Sequence, residues 1–251
     1  MTQATTHALS LTFQESKLIP EYSPPSRPVE YAEETLVRGI LDGQFPPGSL
    51  LPGERELATQ LGITRPTLRE VLRRLERDGW LGIRQGKSTY VKDYWREGGL
   101  NVLSTLVRYG RQLPPNFILN LLQVRLALAP TYTRAAVERE AATILALLED
   151  SLQLADAAEA LASFDWTLHH CLTVASGNPI YTLILNGFVG FYEDMARRYF
   201  ARPEARARSR AFYAALAQAV RRNDPAAAEE ITRAVMVESI ELWQAQRDTD
   251  G

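Results

Sequence analysis

Apolar positions follow two spacings along the chain. In residues 30–42, Tyr31, Leu36, Ile40 and Leu41 form one side of a short amphipathic helix, and Gly43 stops it. Phe45-Pro46-Pro47-Gly48-Ser49 is a rigid turn. After Leu51-Pro52-Gly53, the inward residues Leu57, Ala58 and Leu61 mark a second helix, ended by Gly62. Ile63-Thr64-Arg65-Pro66 opens a third. Thr64 suits the N-cap, because its hydroxyl can accept from an unpaired amide, and Pro66 in the first turn costs no helical hydrogen bond. Leu68, Val71, Leu72 and Leu75 then fall at i, i+3, i+4 and i+7, until Asp78-Gly79 ends the pattern. Residues 80–84 and 88–92 are predicted as two short strands, with Gln85-Gly86-Lys87 as the turn between them.

Beyond residue 98 the strand signal vanishes and helical spacing dominates. Helices are predicted at about 99–109, 116–137, 141–162, 163–176, 179–200, 204–222 and 225–247. Asn116 and Asp224 fit N-cap positions, Pro130 predicts a kink, and Gly177-Asn178-Pro179 separates two apolar helices. The expected fold is mainly α, with an N-terminal winged helix-turn-helix domain at 28–95 and a C-terminal seven-helix bundle at 96–251. Residues 1–27, which end in a proline-rich stretch, are expected to be a disordered tail.

Charge sharpens this division. The net charge is −2, but residues 53–96 carry ten Lys/Arg against six Asp/Glu, whereas residues 97–251 carry fifteen Arg against eighteen acids. A basic excess confined to one short module is the electrostatic pattern of nucleic-acid reading. Only three of the 28 basic residues are lysines, and none lies beyond Lys92, which excludes Schiff-base chemistry from the helical part. The single cysteine excludes an internal disulfide, and three histidines exclude most multi-histidine metal sites. No run of apolar residues is long enough for a membrane span and the N-terminus lacks a secretory pattern, so a cytoplasmic, membrane-free, non-enzymatic protein is expected.

In a winged helix-turn-helix, the third helix buries its apolar stripe on the first two and offers its N-terminus to the major groove. Thr64, Arg65, Thr67 and Arg69 then face outward, and Arg55 lies near backbone phosphate. Arginine can donate two hydrogen bonds to O6 and N7 of guanine, and the threonine hydroxyls can bond phosphate. The competing reading is a solvated arginine face on a structural helix.

The run Phe45-Pro-Pro-Gly-Ser-Leu-Leu-Pro-Gly-Glu-Arg-Glu-Leu-Ala58, continued by Leu61-Gly-Ile-Thr-Arg-Pro-Thr-Leu-Arg-Glu-Val-Leu-Arg-Arg-Leu75, resembles the N-terminal domain of the GntR family of bacterial transcription regulators. Asp78-Gly-Trp-Leu, Ala175-Ser-Gly-Asn-Pro-Ile-Tyr181, Leu183-Ile-Leu-Asn-Gly187 and Arg198-Tyr-Phe-Ala-Arg-Pro-Glu-Ala-Arg206 are similar to its FadR branch, over about residues 28–243. The resemblance implies a homodimer on pseudopalindromic double-stranded operator DNA. It implies repression of fatty-acid degradation genes, activation of unsaturated fatty-acid synthesis genes and release by long-chain acyl-CoA, with no cofactor. The DNA contacts it implies are Arg55, Thr64, Arg65, Thr67 and Arg69, with Gln85, Gly86 and Lys87 in the wing. Gln85 stands for a wing histidine and Pro66 for a threonine. The implied ligand positions are Arg125, Glu238, Ser239 and Trp243. Met236 and Ile240 replace glycines of the FadR pattern, and their size can narrow the pocket or alter the bound ligand.

Three other constellations stay open. Arg125 can meet a ligand oxygen or pair with a buried acid, and Trp243 can line a ligand or the plain core. Asp165 and His169, at i and i+4, have metal-ligand spacing; they support an alternative effector, a small organic acid with or without a metal, or a simple Asp–His hydrogen bond. Arg202, Arg206, Arg208 and Arg210 can face phosphates or form a solvated helix face.

Overall fold

The computed structural model describes residues 27–83, 88–109, 114 and 116–250. Its head begins with α1 (Pro28–Leu41), α2 (Glu54–Leu61) and α3 (Arg65–Asp78), followed by β1 (Leu81–Gly82) and β2 (Tyr90–Val91). Of the expected tail, only Arg27 is described, at the N-cap of α1. The turn between α2 and α3 follows from two local choices. Gly62 takes the left-handed conformation at φ 63°, which a side chain disfavours, and Thr64 Oγ1 accepts from the Thr67 amide at 3.3 Å. Leu68, Val71, Leu72 and Leu75 of α3 are buried against Leu36, Val37 and Ile40 of α1 and Leu57 and Leu61 of α2. Fully burying a leucine contributes roughly 1.5–3 kcal/mol, so this stripe fixes which face of α3 remains outside.

The strands are shorter than the pattern predicts. Leu81 pairs with Val91 and Gly82 with Tyr90, and the segment before α2 adds a further bridge from Leu50 to Tyr90. The Tyr90 ring lies over Gly82, where a Cβ would come within 2.3 Å of it. Arg84, Gln85, Gly86 and Lys87 lie outside the described residues.

A short helix, α4 (Tyr94–Glu97), leads to α5 (Leu100–Tyr109). Val102, Leu106 and Tyr109 of α5 are buried in the same apolar cluster as the head, so packing is continuous across the expected boundary at 95/96. Asn101 Nδ2 also donates to Asp78 Oδ1 at 3.1 Å.

The second part contains α6 (Phe117–Asp150), α7 (Ala158–Ala175), α8 (Pro179–Asn186), α9 (Val189–Phe200), α10 (Pro203–Arg221) and α11 (Pro225–Asp250). With α5, these make seven α-helices among the described residues, but three boundaries differ from the expectation; the break expected at 162/163 lies inside α7, and the chain instead leaves the α-helix at 151–157. The predicted helices at 116–137 and 141–162 form one assigned helix that ends at Asp150; the gap between them survives as a single non-helical residue, Glu140, at φ −137° and ψ 40°. The predicted helix at 179–200 is divided by Gly187 and Phe188. Pro130 is buried inside the helical run, where the kink is expected, and the non-helical φ/ψ comes ten residues later, at Glu140. Asp224 caps α11 as expected, with Oδ1 accepting from the Ala227 amide at 2.9 Å.

α11 lies along α6, and α7 and α10 complete the bundle around Ala136, Val137, Ile144, Leu168, Leu172, Tyr213 and Leu216. α9 sits between α7 and α5. Gly190 faces Ser104 and Gly187 faces Leu100, each so closely that a Cβ would come within 2.8 Å. No described helix is long and apolar enough to cross a membrane.

Candidate nucleic-acid interface and effector cavity

The outer surface of the head gathers the predicted α3 side chains. Arg55, Thr64, Arg65 and Arg69 are exposed and Thr67 is half-buried. The Thr64 and Thr67 hydroxyls lie 2.8 Å apart, so the N-terminus of α3 presents a coupled pair of hydroxyl groups. Arg65 and Arg69 both approach Glu54 of α2. Their guanidinium groups remain accessible, as bidentate recognition of a base edge requires. Arg73, one turn further along α3, is exposed and has no ion pair among the described residues. Gln85, Gly86 and Lys87 lie outside the described residues, so their contact positions remain expectations.

The second site is a cavity of about 130 Å³ in the helical domain. Its walls are Ile118, Leu121, Leu122, Arg125, Leu128 and Tyr132 of α6, Ile184 and Leu185 of α8, Tyr192, Met195 and Tyr199 of α9, and Val235, Met236, Ser239 and Trp243 of α11. Three of the four predicted ligand residues therefore meet: Arg125, Ser239 and Trp243. Glu238 does not line the cavity and pairs with Arg208 at 3.7 Å. Ser239 Oγ donates to the Val235 carbonyl at 2.8 Å and lies 3.3 Å from the Tyr199 hydroxyl. Trp243 Nε1 is buried without a hydrogen-bond partner among the described residues. Met236 is buried in the lining; Ile240 is only partly buried and not part of it.

One end of the cavity is polar. Arg125 Nη2 donates to Asp165 Oδ2 at 3.1 Å, and its guanidinium lies 5.7 Å from the Tyr192 ring centre. The buried-pair reading of Arg125 is thus realised at the cavity wall itself. Tyr192 also donates to Asp165 Oδ2, and Tyr213 donates to Oδ1 at 3.2 Å. Burial would raise the Asp165 carboxyl, but His169, Arg125 and these phenols outweigh it and hold it below the usual carboxylate value. Burial likewise drives the phenols of Tyr132 and Tyr192 upward.

The simple Asp165–His169 hydrogen bond is corrected. His169 Nε2 stands 3.7 Å from Asp165 Oδ1, while Nδ1 pairs with the Tyr132 hydroxyl at 2.8 Å. The reason is competition: three better-placed donors already hold the carboxylate. Burial lowers the His169 imidazole to about 4, only partly opposed by Asp165. No group of three metal-ligating side chains occurs among the described residues.

The α10 arginines are also corrected, because neither phosphate-facing nor solvated describes them all. Arg206 pairs with Asp156 at 2.8 Å and donates to the Phe200 carbonyl, and Arg210 donates to the carbonyls of Leu154 and Ala155. Both tie the loop before α7 to the bundle. Glu54, Tyr192, Tyr199 and Tyr213 carry geometry that pattern reading did not single out. For the α9 wall a signal exists: Phe188, Tyr192, Met195 and Tyr199 recur at spacings of four, three and four, one face of a helix.

An arginine-bearing helix that follows a helix-turn-helix, packed through α5 onto a helical domain with a largely apolar pocket, is the architecture of a winged helix-turn-helix regulator. Residues 28–91 match the model of the bacterial regulatory proteins of the gntR family, and residues 92–249 match that of the FadR C-terminal domain. The chain belongs to the GntR family of DNA-binding transcription regulators, with a FadR-type helical domain. A fatty acid metabolism regulator protein of Edwardsiella ictaluri (strain 93-146) is 42% identical over 220 residues, 88% of this chain and 92% of the relative. One from Klebsiella pneumoniae subsp. pneumoniae is 43% identical over 216 residues, covering 86% and 90%. A solved structure of Lar, described as controlling the expression of the Listeria monocytogenes agr system, covers 87% of this chain and 96% of its own. Its TM-score is 0.57 at 16% identity, a likeness of fold alone.

Proposed function

We propose that this chain regulates fatty-acid metabolism genes as a homodimer on pseudopalindromic operator DNA and leaves the DNA when long-chain acyl-CoA enters the helical domain. In this reading it represses fatty-acid degradation genes and activates unsaturated fatty-acid synthesis genes. Arg55, Thr64, Arg65, Thr67 and Arg69 contact the major groove and its phosphates, with Gln85, Gly86 and Lys87 in the wing. Arg125, Ser239 and Trp243 contact the ligand, while Glu238 pairs with Arg208 outside the lining.

The observation that carries the proposal is the cavity itself. It is apolar along α6, α8, α9 and α11, and polar where Arg125 and Asp165 meet, which suits an acyl chain attached to a polar head. Its volume of about 130 Å³ is below the roughly 300–1,000 Å³ of ordinary ligand pockets. In this reading a long acyl chain, larger than the pocket interior, pushes the walls apart as it enters. α9 is the wall that borders α5, through Gly190 against Ser104, with Gly187 of the preceding turn against Leu100. α5 shares the apolar core of the head. A displaced α9 thus changes the seat of the DNA-reading helices, and a ligand favouring that state shifts the population away from DNA. The small-organic-acid reading rests on Asp165 and His169 alone, and the Asp165 oxygens are already held by Arg125, Tyr192 and Tyr213.

Calorimetric titration with oleoyl-CoA tests the ligand assignment. Saturable binding with a negative heat-capacity change, and none with free CoA, is expected. No binding of oleoyl-CoA, or equal binding of free CoA, would overturn it.

A further inference from the structure

Between α2 and α3 a single carboxylate oxygen serves two cations. Glu54 Oε2 accepts from Arg69 Nε at 2.8 Å and lies 3.7 Å from Arg65 Nη2. Both arginine side chains are 54% exposed, and that of Glu54 is 38% exposed. Exposed pairs of this kind contribute little to folding. An acid on a surface that must approach phosphate also opposes binding. Glu54 also opens α2, where an acid suits the helix dipole, but that does not require its contact with the α3 arginines, and general DNA affinity runs against it.

We propose that Glu54 is a positioning residue that sets sequence specificity by holding Arg69, and with it Arg65, in the base-reading orientation. The inference rests on the reading that α3 enters the major groove. With Nε occupied by Glu54, the two Nη groups of Arg69 form a free fork that matches O6 and N7 of guanine. An arginine held this way loses less rotamer freedom when it meets the right base. An unheld arginine turns toward the nearest phosphate on any sequence. The carboxylate meanwhile repels phosphates wherever no guanine engages the fork, so unrelated DNA is disfavoured twice.

The test uses the full-length chain and its E54A, E54Q, R69A and E54A/R69A variants. Each is incubated with a randomised duplex library, the bound pool is sequenced, and affinities are measured for the selected duplex and for a scrambled one. E54A is expected to lower the guanine preference at one position about tenfold, the order of one bidentate contact. It is also expected to strengthen binding to the scrambled duplex, a direction that damage to the fold would not produce. E54Q keeps an acceptor for Nε without the charge and should recover part of the guanine preference. In the R69A background, E54A should leave that position unchanged. Equal weakening on both duplexes, an intact guanine preference in E54A, or an E54A effect persisting at that position in R69A would each overturn the proposal. Failure of the wild-type chain to select any motif would instead remove the groove-reading on which it rests.

Discussion

Two kinds of charged residue work differently in this molecule. Arg65 and Arg69 lie in solvent beside Glu54, and in the proposed reading they meet base edges. Replacing Arg69 with alanine should cost roughly 1–3 kcal/mol of operator affinity, the range for a bidentate guanine contact. Operator binding unchanged within error, by anisotropy at fixed salt, would contradict that role. His169 and Asp165 are buried, so pH reaches them through folding. The His169 imidazole is lowered from 6.5 to about 4. Between those values the unfolded chain binds a proton that the folded chain does not, so stability is complete above about 6.5 and erodes as pH falls toward 4, by up to roughly 3 kcal/mol. Asp165 acts in the same direction at lower pH, because its lowered carboxyl stabilises only while ionised. Urea unfolding of wild type and His169→Gln between about pH 7 and about pH 5 checks the sign. The variant should lose less stability across this window; parallel losses would exclude His169 as the source.

At the scale of elements, the head was legible because its boundaries depend on local chemistry. Gly62, Thr64 and Gly79 each end or start a helix by their own conformational preference. Gly79 has a second constraint that no local pattern reveals: its φ is 95°, and a Cβ there would stand 2.8 Å from the Gly98 Cα. Gly79→Ala should therefore destabilise the head by about 1–3 kcal/mol, the range for a strained backbone position; a chemical melt within about 0.5 kcal/mol of wild type would show the contact to be slack. The helical domain was legible in kind but not in boundaries. Its alanine-rich helices carry few stop signals, so the turn between α8 and α9 passes within a continuous apolar pattern, and Glu140 interrupts α6 with little local cue. The polar end of the cavity was equally hidden, because Arg125 and Asp165 meet only when α6 packs on α7, 40 residues apart.

At the scale of the whole molecule, one path runs from the cavity to the head. α9 offers Tyr192 and Met195 to the cavity and Gly190 to Ser104 of α5, and α5 gives Val102 and Leu106 to the core of the head. Gly190→Val should disturb that seam without touching the cavity lining. Its expected signature is a changed ratio of acyl-CoA affinities with and without DNA, the coupling factor itself; an unchanged ratio would place the transmission elsewhere. The most direct measurement is binding of the full chain to a FadR-type operator by fluorescence anisotropy, at one fixed salt, titrated with oleoyl-CoA, free CoA and oleate. The account predicts tight operator binding released by oleoyl-CoA alone. Tight binding that oleoyl-CoA leaves undisturbed would contradict the sensor role of the cavity and leave the DNA-binding head standing.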